Sequence, residues 1–435
     1  MLQLRRATVV EAGRRGSSPE RTLKGTPWRA HTGEQRLLVE FAVPAEGAAD
    51  AGPHRRPAIA DVGLVGRAEV GDEVIVNVQA LDLGLGSGGF DIVHANLTRG
   101  LSAGGDPSPA RSHVMKLNYT SIQHAVEPVD DRALDVPVGR PVAVLALHGQ
   151  LAAVVWAFAR SAPGKRIGYV QSEGGALPGG HSRTVAMLRD RGLLAGHITA
   201  GQAFGGEREA ITTAGALHHA LRTLEWDAAV CGPGPGIVGS GSSLGHGGMA
   251  ALDSAHVALA LGCPTLLVAR MSSSDERARH RAISHHTLTV LDLLLAPVTV
   301  ALPAGMRSPV GADLRAGLRA VFGAPAATPS LGKDEPSLRQ DREAAGTDVS
   351  RPARIARHDW RRATVELAEF AASGLATETM GRDPAQDPLF FGAALAGGTV
   401  LAELAACLRP PGCALQGALR AEDLVGADAG TAGTT

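Results

Sequence analysis

Aromatic residues make up only 3% of this 435-residue chain. Proteins that hold single-stranded nucleic acid stack its bases on aromatic side chains inside a basic groove. Here neither ingredient is abundant, since 42 basic residues meet 43 acidic ones and the formal net charge is −1. The balance argues against a nucleic-acid partner and against attraction to an anionic membrane surface. Cysteine is scarce as well. Cys231, Cys263, Cys407 and Cys413 show no paired zinc-type spacing and no disulfide framework, which fits a reducing compartment. Long hydrophobic runs are missing too: Val257 to Ala269 falls well short of the roughly 18 residues of a membrane span. Arginines interrupt the opening "MLQLRRATVVEAGRRGSS", so it makes a poor secretory signal. These absences lead to the expectation of a cytoplasmic protein with no membrane partner.

What is present is a globular composition, with 44% hydrophobic and 20% charged residues and 55 glycines. The length calls for two or three structural units. In "ADVGLVGRAEVGDEVIVNVQALDLGLGSGGFDIVHANL", apolar residues alternate around a Gly71-Asp72 turn and a second turn at Gly86 to Gly89, the pattern of hairpins in a small antiparallel sheet or barrel. "HVMKLNYTSIQHAV" reads as a connection into the next unit. From Pro141 the rhythm changes. Apolar runs at 141–147, 166–171, 194–200, 226–231, 264–270 and 297–302 alternate with helical patterns near 149–161, 181–191, 207–224, 249–262 and 285–295. Apolar strands separated by helices predict an α/β fold with a doubly wound, mostly parallel sheet, preceded by a small β-rich, barrel-like domain. The expected division is 1–132 for the β-rich domain and 133–323 for an α/β ligand-binding domain. A disordered linker at 324–357 and a C-terminal helical extension with a loose tail at 358–435 complete the chain.

Ligands of open parallel sheets bind beyond the carboxyl ends of the strands. The connections leaving the predicted strand ends therefore outline a site. The fourth run leads into "CGPGPGIVGSGSSLGHGG", Cys231 to Gly248, with eight glycines in eighteen residues. Glycine loses more freedom on folding than any other residue, so such a cluster points to a backbone that turns sharply or approaches a ligand closely. Gly234, Gly236, Gly239 and Gly241, with the hydroxyls of Ser240 and Ser242, suggest backbone amides cradling an anion at a helix N-terminus. Ser242 stands where a Walker loop needs lysine, which excludes that motif. Gly234, Gly236 and Gly239 satisfy G-x-G-x-x-G, but the pattern comes after the fourth strand, and Arg270 ends the fifth where a ribose-binding carboxylate would be expected. A nicotinamide dinucleotide is thereby disfavoured, and the cofactor stays unknown.

The other candidates come from neighbouring strand ends. Glu173 in "SEGGALPGGHSR" can serve as a general base, or be an ordinary solvated or capping carboxylate. Gln202 and Arg270 can orient an anionic substrate, while Arg183 reads equally as a surface arginine. Ser284 is placed to cap the helix that begins at His285, and a helix N-terminus favours neutral imidazole, suited to proton transfer. His280 and His285 are five apart and would not share a helical face, so no metal is expected. His218 and His219 read as structural. Cys231 reads as a small buried apolar residue before a nucleophile.

"GQAFGGEREAIT", "GPGIVGSGSSLGHGG", "RHRAISHHTLTVL" and "ETMGRDPAQDPLFF" together resemble an uncharacterised bacterial family, the domain-of-unknown-function family numbered thirty-eight sixty-six. "VGDEVIVNVQALDLGLGSGGFDIV", "HVMKLNYTSIQ" and "EGGALPGGHSRTV" are similar to further parts of it. The resemblance covers most of the chain from about residue 57, but it implies no activity, since the family has none established. The family pattern differs at the loop positions of Ile237, Ser240, Ser242 and Leu244, and has Asp where Glu173 stands. The residues themselves suggest an enzyme acting on a small anionic, phosphorylated metabolite, with Glu173 and His285 catalytic and Gly234, Gly236, Gly239, Ser240, Gly241, Ser242, Gln202 and Arg270 binding. The alternative is a non-catalytic metabolite-binding or regulatory protein. A homo-oligomer is compatible with either.

Overall fold

The computed structural model describes residues 3–13, 34–41, 54–83, 89–100, 114–120, 122–129, 131, 133–306, 309–322, 350–375 and 378–407. Apolar residues at every second position build the first unit. Strands β1 (Leu4–Ala12), β2 (Glu34–Phe41), β3 (His54–Asp61), β4 (Glu73–Asn77) and β5 (Asp91–Asn96) close into a barrel in the order β1-β2-β3-β5-β4. Ala7, Val9, Val39, Phe41, Val74 and Val76 point inward to its core, as a period of two requires. The Gly71-Asp72 turn is present, with Gly71 at φ +92, a conformation that favours glycine. However, it does not join two hairpin strands, because β4 pairs with β1 and β5. The glycine turn expected at Gly86 to Gly89 lies largely outside the described residues. The expected connection contains a hairpin, β6 (Val114–Lys116) with β7 (His124–Val126).

The second unit is an eight-stranded sheet. Its strands are β8 (Val142–Leu145), β9 (Ile167–Ser172), β10 (His197–Ala200), β11 (Arg208–Ala210), β12 (Ala228–Pro233) and β13 (Thr265–Val268), then β16 (Thr299–Ala304) and β17 (Asp359–Thr364). A two-stranded ribbon, β14 (Met271–Ser272) with β15 (Ala282–Ile283), intervenes. The order is β11-β10-β9-β12-β8-β13-β16-β17, and every pairing is parallel. Both faces are covered. Val142 and Val144 face helices Thr213–His218, Ala250–Ala260, His285–Leu293 and Val310–Phe322, while Ala143 and Leu145 face Leu151–Ser161, Arg183–Asp190 and Pro388–Ala406. The α/β expectation holds, with all six predicted strands in place. β9 to β12 lie on one side of β8 and β13, β16 and β17 on the other, so the crevice between their connections opens beyond the carboxyl end of β8.

Two stretches depart from the expected elements. Arg208–Ala210, expected to be helical, is a short edge strand, and three residues are too few to carry a period. Asp359–Thr364, expected as helix, is the other edge strand, buried through Trp360 while its arginines give it a polar reading. The C-terminal segment therefore completes the sheet and covers it, beyond being a helical extension. Most of the expected linker, 323–349, and the tail after Cys407 lie outside the described residues, and Ser350–Ala356 is a helix. Among the described residues, Pro388–Ala406 is the one helix long and apolar enough to cross a membrane by length and composition. It is 83% buried, packed on the sheet and on Leu151–Ser161, as a core helix would be.

Candidate functional site

The glycine loop leaves β12 and returns to the helix Ala250–Ala260, and it has two distinct parts. Its base is tightly held. A side chain on Gly175 would lie 2.4 Å from the Gly234 carbonyl oxygen, and one on Gly234 would lie 2.2 Å from Gln171 Nε2. Gly236 sits at φ +86 against Ala176, and Gly174 at φ +105 against Ala250, Pro233 and Gly247. Only residues without Cβ allow the Glu173–Gly175 turn and the loop base to meet so closely. The tip is different. Val238 to Gly245 is exposed, Gly239 pairs with His246, and the Ser240 and Ser242 hydroxyls bond each other at 3.0 Å. Ser242 Oγ also accepts from Gly245 N at 2.9 Å, and a side chain added at Gly241 would meet nothing beyond its chain neighbours within 4 Å. The hydroxyls thus brace the turn itself.

Beyond the loop the chain builds a polar cluster. His246 ends the loop and stacks on His286 with ring centroids 3.4 Å apart, edge-on to His285 at 5.7 Å. His285 and His286 open the helix His285–Leu293, capped by Ser284 as expected from the sequence. His280 comes from a short turn ahead of that helix, so a shared helical face is not needed to bring it in. Ligand atoms of His280, His285 and His286 lie within 4.8 Å of one another, and the five-residue spacing that argued against a metal loses its force. Burial pushes the His280 and His286 rings down to about 4 and about 2, with the Arg270 and neighbouring imidazole charges acting in the same direction. His246 and His285 are lowered as well, mainly by burial. All four are neutral imidazoles near pH 7.

Arg270 stands among them, buried at 4% exposure, and donates to His286 Nδ1 at 2.9 Å. It reaches Asp275 at 3.4 Å, while its Nε has no partner among the described residues. Burial, which disfavours the charged guanidinium, brings its pKa down to about 10. Burial also opposes the Asp275 charge, but bonds from Arg277 keep that carboxyl well below the usual range. The segment after Thr379 closes this side: Arg382 lies 3.5 Å from Asp275 and 3.7 Å from Asp387, which accepts from Ser272 Oγ at 2.6 Å.

The expected site residues therefore fall into two groups. His285, Arg270 and the end of the glycine loop come together, and Glu173 and Gln202 form a second group across the Gly174–Gly247 contact. The Glu173 carboxylate lies beside Gly201, where a side chain would meet it at 3.0 Å. Glu173 and Gln202 are exposed, and Glu173 has no side-chain hydrogen bond or ion pair among the described residues. His246, Asp275, Arg382 and Asp387 were not singled out from sequence, and His280 and His286 were weighed there as metal ligands and set aside, although each is polar and comes after a strand end or lies in a motif already quoted. His148, at the end of β8, sits in a buried chain with Tyr169 Oη at 3.3 Å and Ser182 Oγ at 2.8 Å. Ser182 is buried and caps the helix Arg183–Asp190, so this pair is structural. Arg183 begins the same helix, with its guanidinium over the Phe90 ring at 5.9 Å. Both His218 and His219 bond Asp131, and the buried Cys231 thiol is pushed up to about 12. His218, His219 and Cys231 match their structural readings. A cavity of about 670 Å³ lies at the β10–β11 end of the rim, lined by Asp61, Glu127, Phe204, Gly205, Glu207 and Glu209 and by no residue of the histidine cluster. Three of its carboxylates are already paired, Asp61 with His181, Glu207 with Arg189 and Glu209 with Lys116.

Fold and rim together define an α/β protein with a doubly wound parallel sheet, a closed β-barrel ahead of it, and a histidine- and arginine-rich crevice beyond the strand ends. The chain belongs to the family described as a protein of unknown function (DUF3866), whose model matches residues 57–398 and so spans every residue of that crevice. No curated protein and no solved structure matches it.

Proposed function

We propose that this protein is an enzyme that takes a small anionic, phosphorylated metabolite at the rim beyond β12, β8 and β13. The reading is carried by Arg270: a guanidinium removed from water, with one N–H unpaired, among imidazoles that bring no charge of their own. A buried charge left partly unsatisfied is costly, and an anionic ligand would offset that cost. The tight loop base contributes backbone close to the ligand, whereas the self-braced tip is left to close over it. His285, neutral and with a free buried Nε2, is the proton acceptor, and Glu173 acts from the opposite turn.

The alternative, a non-catalytic sensor, draws support from Glu173 itself, which nothing holds in place for proton transfer. A thermal-shift series with inorganic phosphate, sugar phosphates and nucleotides tests the binding. A ligand at 100 times its Kd adds about 2.7 kcal/mol, a rise of several degrees, and Arg270→Gln should abolish it. If no anion raises the wild-type Tm, the proposal fails. With a ligand in hand, Glu173→Gln separates the two readings: the enzyme keeps its binding and loses turnover.

A further inference from the structure

The histidine cluster carries more than an anion site requires. Three imidazoles from separate backbone positions place ligand atoms within 4.8 Å of one another, and two of the rings are almost fully buried, His280 at 1% exposure and His286 at 7%. His285 Nε2 is buried without a hydrogen-bond partner, and so are both ring nitrogens of His246 beside it. Buried ring nitrogens left without a partner are costly unless something satisfies them. We propose that His280, His285 and His286 hold a divalent first-row transition metal of the zinc class, with a fourth position left for water or a ligand oxygen.

The chemistry of the donors fits. Zinc takes neutral imidazole nitrogen at about 2.0–2.1 Å, and three histidines with one open position are a catalytic arrangement rather than a closed structural one. At that bond length tetrahedral nitrogens sit about 3.3 Å apart, so the rings draw together by at most about 1.5 Å. His280 is already oriented, because its Nδ1 bonds Ser284 Oγ at 2.8 Å and leaves Nε2 to the ion. Ser284 is also the cap of the helix that supplies the other two ligands, so one hydroxyl sets all three. Two buried carboxylates, Asp275 and Asp387, stand against the buried Arg270, the partly exposed Arg382 and the exposed Arg277, and so offset part of the guanidinium charge around the ion. His286 Nδ1 accepts from Arg270, so ligation through that atom frees the guanidinium. An ion on three neutral ligands keeps its full charge, which would add to Arg270 in attracting an anion. The metal site goes beyond the anion reading and stands without it, and with the ion bound His285 Nε2 is a ligand and no longer the proton acceptor.

The test uses the full chain, stripped with a chelator and titrated with Zn2+ and with Co2+ as a spectroscopic probe. The expected result is one ion per chain, with the visible bands of tetrahedral, nitrogen-ligated Co2+. His285→Ala should weaken uptake by more than the ~10–100-fold that outer-shell changes cost, while His94→Ala, an exposed histidine of the barrel, changes nothing. Circular dichroism establishes that the variants fold; should His285→Ala not fold, the wild-type Co2+ spectrum decides alone, octahedral bands overturning the proposal. No saturable uptake, or wild-type affinity in folded His285→Ala, also overturns it. Phosphate that raises the Tm equally with chelator present would sink the metal alone and leave the anion reading intact.

Discussion

Replacing Gly175 by Ala adds one methyl group and removes no polar atom, yet it strikes the seam on which the crevice is built. The new Cβ would lie 2.4 Å from the Gly234 oxygen, 2.6 Å from its carbonyl carbon and 2.9 Å from its Cα. Ordinary contact begins at 3.4 Å, so the Glu173–Gly175 turn and the loop base must part by about 1 Å. All three opposing atoms are backbone, and no side chain can swing away to make room. Overpacking of this kind costs about 1–3 kcal/mol. A 1 Å displacement of positioning groups lowers turnover by about 100-fold. Gly241→Ala is the matched control: its Cβ meets nothing within 4 Å, so stability should stay within about 1 kcal/mol of wild type. Urea unfolding monitored by tryptophan fluorescence reads the right unit, because Trp156, Trp226 and Trp360 lie in the layers around the sheet. Gly175→Ala should shift the midpoint down and weaken phosphate stabilisation, with Gly241→Ala near wild type in both. An unshifted Gly175→Ala, or a Gly241→Ala that loses phosphate stabilisation to the same degree, would refute the division of the loop into working base and braced tip.

Buried charge sets two further outcomes. Lys116→Met removes an ammonium that donates to Thr199 O, Ala203 O and Glu209, so about 3 kcal/mol should be lost, with faster proteolysis at the β6–β7 hairpin; a loss below 1 kcal/mol contradicts this. Burial pushes His148 from 6.5 to about 4, so its contribution is whole above pH 6.5 and declines as acid approaches pH 4, by at most about 3 kcal/mol; His148→Gln should flatten the fall in Tm between pH 7 and pH 5, and an unchanged slope refutes it.

How legible each part was depends on the physics behind it. The six central strands announce themselves because strands buried on both faces must be apolar throughout, as in Val142–Leu145 and Thr265–Val268. The edges do not. Arg208–Ala210 is three residues long, and Asp359–Thr364 carries two arginines, Arg361 buried and Arg362 exposed, so neither shows a pattern that composition alone can find. Reading the connection after every strand found Arg270, His285 and the loop, because parallel topology sends each such connection to one rim. It could not say which part of the glycine loop works. Nothing in "VGSGSSLG" distinguishes hydroxyls that receive a ligand from hydroxyls that bond each other.

The histidines show why spacing rules fail at a crevice. A rule built on one helix asks for ligands three or four residues apart, so His280 and His285 fail it. Here the relevant geometry is a strand end, a short turn and a helix cap folded onto one another, with Ser284 bonding His280 on one side and capping the helix on the other. His246 arrives from a loop some forty positions away in the chain, and Asp387 from further still on the other side. What these residues share is a destination, the carboxyl rim beside β8, and a cost: each is a polar group taken out of water. Packing gains nothing from collecting four imidazoles there, or a guanidinium whose Nε has no partner among the described residues. The proposed anion and metal are what would offset that cost, the one at Arg270 and the other at the neutral imidazoles.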